Sequence, residues 1–348
     1  MQKVIAKIHL GNVRRNAEKF KAQAGELCAV VKANAYGHGA EEVVNALSGV
    51  ANSFAVALLD EAATIKLAAC GKEILVFTPP LHSDEVRYAA WLGCSVTVDG
   101  LATAKLVAQT AKTSEKRVNV HLKTNTGMNR YGMGISELGK VCKFLQDEPF
   151  VRVNGIYSHL YTCTKEQSFL QRELFLKAAA VAKRYFPTAR AHLSATYGSL
   201  LGKAFAFDGV RVGLGLYGYL PTVKESGIEL PSLEKGLTVY AAAVGHRRYA
   251  FGGAGYGSYD GRKGDEISLL RCGYADGFLR KRENGMQGFD RNLNRLCMDV
   301  CLRKGALQKG SLIPVMTDAT KTAETTGTVA YEVLCAATRR AELIYDNE

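Results

Sequence analysis

The stretch "AVVKANAYGHGA" (29–40) runs from an apolar segment of strand type, ending on Lys32, into a glycine-flanked turn that holds Tyr36. Long amine side chains at the end of a buried strand usually snorkel to solvent. A lysine there is also what a strand would deliver to a site at its C-terminal end, and the rest of the chain decides between the two. The run "LCAVVKA" (27–33) is the first of a series. "SFAVALL" (53–59), "EILVFT" (73–78), "SVTVD" (95–99), "VNVHLKT" (118–124), "VNGIYSHL" (153–160), "RAHLSAT" (190–196) and "GVRVGLG" (209–215) follow it. Helical patterns separate them, among them "DEAATIKLAACG", with Asp60 as N-cap and Gly71 as stop, "SDEVRYAAWLG", "LATAKLVAQTAK", "SELGKVCKFLQDE" and "QSFLQRELFLKAAAVAKRYF". Eight strands alternating with helices predict an α/β fold, a (β/α)8 TIM-like barrel, and no G-x-G-x-x-G follows a strand to favour an open dinucleotide-binding sheet.

Beyond "LYGYLP" the texture changes. "LTVYAAAVGHRRYA", "DEISLLRCGYA", "RLCMDVCLR", "SLIPVMT" and "TVAYEVL" read as strands separated by Gly, Asp and Lys turns. The expected organisation is therefore a barrel over 1–225 and an all-β C-terminal domain over 226–348.

Composition narrows the class. The 348 residues are 47% hydrophobic and 22% charged, enough for a substantial core, and no apolar run reaches membrane-span length. The N-terminus lacks the apolar core of a signal peptide, so a cytoplasmic protein with no membrane partner is expected. Nine cysteines occur singly, without CxxC or Cys/His spacing, so neither disulfides nor a metal site is implied. The net charge of +12 comes from 45 Lys and Arg spread along the chain without a nucleic-acid motif; a basic surface that attracts anionic ligands is expected instead.

In such a barrel the chemistry lies at the C-terminal strand ends. Lys32 stands at the first; Lys123, His159, Thr196 and Arg211 stand at the last four, followed by Gly213 and Leu214. The loops after strands seven and eight, "SATYG" and "RVGLG", offer a hydroxyl and backbone N–H groups to a phosphate. A lysine across the mouth from a phosphate site suits pyridoxal 5'-phosphate (PLP), whose aldehyde condenses with a lysine. An arginine beside the ring nitrogen keeps its own proton and leaves that nitrogen unprotonated, which weakens the ring as an electron sink. Reprotonation at the same carbon suits a weak sink better than transamination or decarboxylation.

"AVVKANAYGHG" resembles the PLP-lysine motif of the alanine racemase family, and the likeness continues in order through "HLKTNTGMNRYG", "GIYSHL", "VRVGLGLYG", "AGYGSY", "GYADG", "CMDV" and "YEVL". The resemblance implies that Lys32 binds the cofactor and is one base. It makes Tyr256, supplied by the partner subunit of a homodimer with shared active sites, the other. It places Arg211 at the ring nitrogen and also as a neighbour that lowers the tyrosine's proton affinity through His159. Tyr36, Thr196, Gly213, Leu214 and Tyr331 fall at phosphate-holding positions. Arg130 would meet the substrate carboxylate, Met298 and Tyr274 would line the way in from the other subunit, and Lys123 falls where a carbamylated lysine orients that arginine. The implied role is D-alanine supply for peptidoglycan.

Two departures bear on cofactor and substrate. The phosphate segment "HLSATYG" has Ala195 and Thr196 in place of the family's asparagine and serine, and Asn125 replaces an aspartate near Arg130. "HLSATYG" and "IYSHL" are closer to vancomycin-resistance serine racemases, so serine or broad-specificity racemisation is the alternative. The ring of Tyr331 favours a methyl side chain over a hydroxymethyl. A non-enzymatic PLP carrier would not need residues 230–348, and a barrel decarboxylase would carry a glutamate where Arg211 stands.

Overall fold

The computed structural model describes residues 4–161, 164–221, 227–258, 261–279 and 293–348. All eight expected runs form parallel strands: Leu27–Val30, Ser53–Val56, Ile74–Val76, Ser95–Val98, Val118–Lys123, Val151–Tyr157, Arg190–His192 and Val210–Val212. Each pairs with its predecessor through the seventh, and the eighth returns to the first, with Leu27 opposite Val210 and Ala29 opposite Val212. Arg211 N–H donates to Ser194 O at 2.9 Å and Asp208 N–H to Ala191 O at 3.0 Å, which brings the seventh and eighth together and nearly closes the barrel.

Strands two to four are buried along their whole length, as expected when one face packs into the barrel and the other under helices. Val96, Val98, Val120, Leu122, Val153 and Ile156 form one core with Val107 and Leu138 of the helices Leu101–Thr113 and Ile135–Leu145 and Phe175 of Lys165–Tyr185. The helix Ser83–Leu92 stops at Gly93, whose φ of +68° closes it in the left-handed region.

One expected cap differs. Asp60 lies inside the first turn of the helix Leu59–Ile65, not at its N-cap. The carboxylate of Glu61 turns back to accept from Ala57 N–H (2.7 Å) and Leu58 N–H (3.1 Å), so the helix begins two residues earlier, with Leu58 as its N-cap, and ends before Gly71.

The chain divides into two compact units, and the strand-rich one gathers residues up to Asn12, Tyr36–Gly39 and Lys235–Glu348. Its seven-stranded sheet runs Leu293–Leu296, Cys301–Lys304, Glu266–Leu270, Leu237–Arg248, Ile5–His9, Glu342–Asp346, with Leu312–Met316 also paired to Leu237–Arg248. "RLCMDVCLR" is two strands, because Cys297 N–H donates to Val300 O (2.9 Å) and turns the chain at Met298. "TVAYEVL" is helical, not a strand. Ala330–Ala337 buries Val333, Leu334 and Ala337 on one face, a helical spacing that its β-branched start conceals. With Ala319–Thr326, capped by the Asp318 carboxylate, this makes the C-terminal unit strand-rich rather than all-β. Among the described residues no helix is long and apolar enough to cross a membrane.

Candidate active site

The barrel mouth is built on a backbone that departs from the usual map. Immediately after Val31, Lys32 opens a five-residue turn in which Ala33, Asn34, Ala35 and Tyr36 all have φ of 52° to 54°. Four successive non-glycine residues in the left-handed region are disfavoured by Cβ–carbonyl crowding. Neighbouring groups hold them there: Glu61 accepts from Ala33 N–H at 2.6 Å, and the Asn34 side chain accepts from Ala40 N–H at 2.8 Å. The turn leaves Lys32 half-buried at the end of the first strand.

Lys123 ends the fifth strand, 6% exposed, and donates to Thr124 O at 2.9 Å and toward Ser158 Oγ at 3.5 Å. Burial, then the charges of Arg211 and Arg130, push its pKa down to about 7. His159 lies two residues past the sixth strand. Burial lowers its pKa to about 3, and the charges acting on it are all cations, Arg211, Lys123, Arg130 and Lys32 in that order. The structure thus brings four basic side chains, Lys32, Lys123, Arg130 and Arg211, to act on a neutral His159. Arg130, exposed on the loop after strand five, stacks toward Tyr131.

Arg211, on the eighth strand, is 2% exposed and has no carboxylate partner among the described residues. Nη1 donates to His192 Nδ1 (2.9 Å) and His192 O (2.8 Å), and Nη2 to Ser158 O (2.6 Å) and Leu193 O (3.0 Å). All four Nη hydrogens are engaged, which leaves Nε–H, without a hydrogen-bond partner among the described residues, as the donor for a ligand. Burial brings the guanidinium down to about 10, still charged at neutral pH.

Tyr157 is a residue that sequence reasoning passed over. Its ring carries Arg211 and Lys123, each 5.1 Å from the centroid, and stacks on His192 at 5.3 Å and 9°. It sits two positions before His159 in "IYSHL", and only its packing distinguishes it from an ordinary core tyrosine.

Thr196 opens the short helix Thr196–Ser199, and its buried hydroxyl accepts from Gly215 N–H at 3.1 Å, leaving its own proton to donate. Gly213 and Leu214 follow the eighth strand, both buried. A Cβ on Gly215 would lie 2.6 Å from the Phe20 ring, so only glycine lets the backbone approach the hydroxyl.

In the strand-rich unit, Tyr36 and Tyr331 have ring centroids 6.0 Å apart at 42°. Burial and then Tyr331 raise the Tyr36 hydroxyl well above its usual pKa. Tyr274 N–H donates to Cys297 O and Ala275 N–H to Met298 O, both at 3.0 Å, so the Tyr274 turn and the Met298 turn are one structure. Tyr256 stands 77% exposed in the tight turn between Gly253–Ala254 and Gly257–Ser258.

Residues 8–221 match the alanine racemase N-terminal domain and residues 246–345 the alanine racemase C-terminal domain. An alanine racemase of Lactococcus lactis is 31% identical over 97% of this chain and 96% of its own. Alanine racemase 1 of Bacillus subtilis is 32% identical over 84% and 78%. Among solved structures, the alanine racemase of a D-cycloserine-producing Streptomyces lavendulae superposes with a TM-score of 0.88 at 26% identity, covering 100% of this chain and 98% of its own. The biosynthetic alanine racemase of Pseudomonas aeruginosa gives 0.85 at 28% identity, over 99% and 100%.

Proposed function

Because the chain belongs to the alanine racemase family, we propose that it interconverts L- and D-alanine with PLP as cofactor, as a homodimer that supplies D-alanine for peptidoglycan. Residues 1–225 would bind the cofactor and 226–348 would supply the second base. The observation that carries this reading is Arg211. A buried guanidinium with every Nη hydrogen engaged and one Nε–H remaining fits an aromatic nitrogen acceptor, and the surrounding cations fit a ligand with a phosphate and a carboxylate.

Lys32 would anchor the cofactor, and Thr196, Gly213, Leu214, Tyr36 and Tyr331 would hold its phosphate. Bound there, PLP supplies an electron-withdrawing ring that acidifies the substrate's α-hydrogen. Racemisation then needs one base on each face of the reacting carbon. Lys32 Nζ would take or return the proton on one face and Tyr256 Oη, from the partner subunit, on the other; its exposure suits a group offered to a second chain. His159, held neutral, can accept from the tyrosine's side without adding a charge, and Arg211 behind it favours the ionised phenol.

Arg130 would bind the substrate carboxylate. Lys123, as a neutral amine near pH 7, is in the form that adds CO2 to give a carbamate and release a proton, and the anion would orient Arg130. Met298 and Tyr274 would line the way in. Tyr331 favours alanine over serine.

Purified protein should show the visible absorbance of lysine-bound cofactor, lost in Lys32→Ala. Tyr256→Phe should keep that absorbance and lose racemisation of both enantiomers, read by chiral chromatography over a panel of L-amino acids. Unchanged turnover in Tyr256→Phe refutes the two-base reading, and serine turned over faster than alanine refutes the substrate.

A further inference from the structure

Arg211 begins a line of hydrogen bonds that crosses the barrel interior. Beyond its contact with His192 Nδ1, His192 Nε2 lies 2.8 Å from His121 Nδ1, and His121 Nε2 lies 3.1 Å from Glu73 Oε1. Glu73 immediately precedes the third strand, so the line ends at the opposite face of the barrel from the mouth. There Ser95 Oγ (2.6 Å) and Asn154 Nδ2 (2.7 Å) donate to the same carboxylate oxygen, and Arg190 holds the other. The backbone is shaped for this arrangement, since a Cβ on Gly155 would lie 2.6 Å from His121 Nδ1.

The protonation of both imidazoles follows from the direction of the first bond. A guanidinium only donates, so His192 Nδ1 must be bare. The one hydrogen of His192 is then on Nε2 and points at His121 Nδ1, which must be bare in turn. His121 therefore carries its hydrogen on Nε2, toward Glu73. A charged His121 would leave His192 with no hydrogen at all. Burial and the Arg211 charge, which lower His192 well below the usual range, agree with a neutral ring.

We propose that Glu73 is a positioning residue for the reaction: acting through His121 and His192, its carboxylate fixes the tautomers that hold Arg211, and with them the aim of the Nε–H. Distant partners of this kind orient a functional group by locking the hydrogen bonds behind it. Only the catalytic consequence rests on the racemase reading; the donor order stands without it.

The test is long-range 1H–15N spectroscopy of the PLP-loaded enzyme, with His121 and His192 assigned among the seven histidines by substitution. Both rings should be neutral Nε2–H tautomers at neutral pH; an Nδ1–H tautomer or a charged ring at either position overturns the proposal. Glu73→Leu, which leaves His121 Nε2–H without its acceptor, should shift the His192 ring resonances and lower kcat roughly 10- to 100-fold with KM within about twofold. His121→Gln, whose amide accepts and donates in the same order, should retain most activity, while His121→Phe should lose as much as Glu73→Leu. An unmoved His192 and unchanged kcat in Glu73→Leu, or His121→Gln as impaired as His121→Phe, overturns it. If Glu73→Leu does not fold, the wild-type tautomers and the His121 pair decide. Wild-type enzyme with the expected tautomers and no racemisation refutes the racemase reading and, with it, the catalytic role of Glu73.

Discussion

Replacing Lys123 by methionine isolates the electrostatic character of the barrel mouth. The folded protein gives up the lysine proton near pH 7, while the unfolded chain holds it to the ordinary 10.5. Between these values the unfolded state binds more protons, so stability from this residue rises with pH and is lost as pH falls from 10.5 to 7. At 1.36 kcal/mol per pK unit, the difference between pH 9.5 and pH 6 amounts to about 3 kcal/mol. Methionine keeps the length of the side chain, and Thr124 O keeps a donor because Ser158 Oγ bonds it at 2.8 Å. The lost lysine hydrogen bonds therefore cost about 1 kcal/mol at either pH. Urea unfolding in CO2-free buffer at fixed protein concentration should show wild type losing about 3 kcal/mol relative to Lys123→Met between those two pH values. Parallel stability curves for the two proteins would refute the argument that burial and the neighbouring arginines neutralise this amine.

The same neutral amine should react with 13C-labelled bicarbonate at mildly alkaline pH to give a carbamate carbonyl signal that Lys123→Met lacks; no difference between the spectra excludes the modification. His159, with a folded pKa of about 3, stays neutral while the unfolded chain protonates near 6.5. Stability from it is present above 6.5 and is lost as pH falls toward 3, so His159→Phe should flatten the acid limb of a stability profile by about 4 kcal/mol; an unchanged limb contradicts it. Gly215→Ala places a methyl 2.6 Å from the Phe20 ring and should destabilise the protein by about 1 to 3 kcal/mol in thermal or urea unfolding, with wild-type stability the contrary result.

The barrel was legible because its strands read as short apolar runs, three of them (the second to the fourth) buried along their whole length, and helices with stops such as Gly93 separate them. Lys32, Lys123, His159, Thr196 and Arg211 were legible by their places at or near those strands' C-terminal ends. What local pattern hid was decided by distant partners. Glu61 moved a helix start by reaching back to Ala57, and Ala330–Ala337 became a helix because its buried face is spaced by 3.6 although its first residues favour strands. Glu73 and His121 carried no signal at all: they lie 48 positions apart, and only closure of the barrel aligns them. The N-terminal strand Ile5–His9 pairs with Leu237–Arg248 and Glu342–Asp346, a long-range pairing that no local period announces.

The left-handed turn after Lys32 bears on how this protein loses activity. Four residues there occupy a conformation that costs about 1 to 2 kcal/mol apiece, so the isolated segment prefers another shape. Such a turn should form only once its surroundings are in place. It should therefore be among the first segments to relax when the molecule is warmed or partly denatured, while the buried strands still hold. Inactivation should then precede unfolding, as the lysine turns away from an otherwise intact barrel.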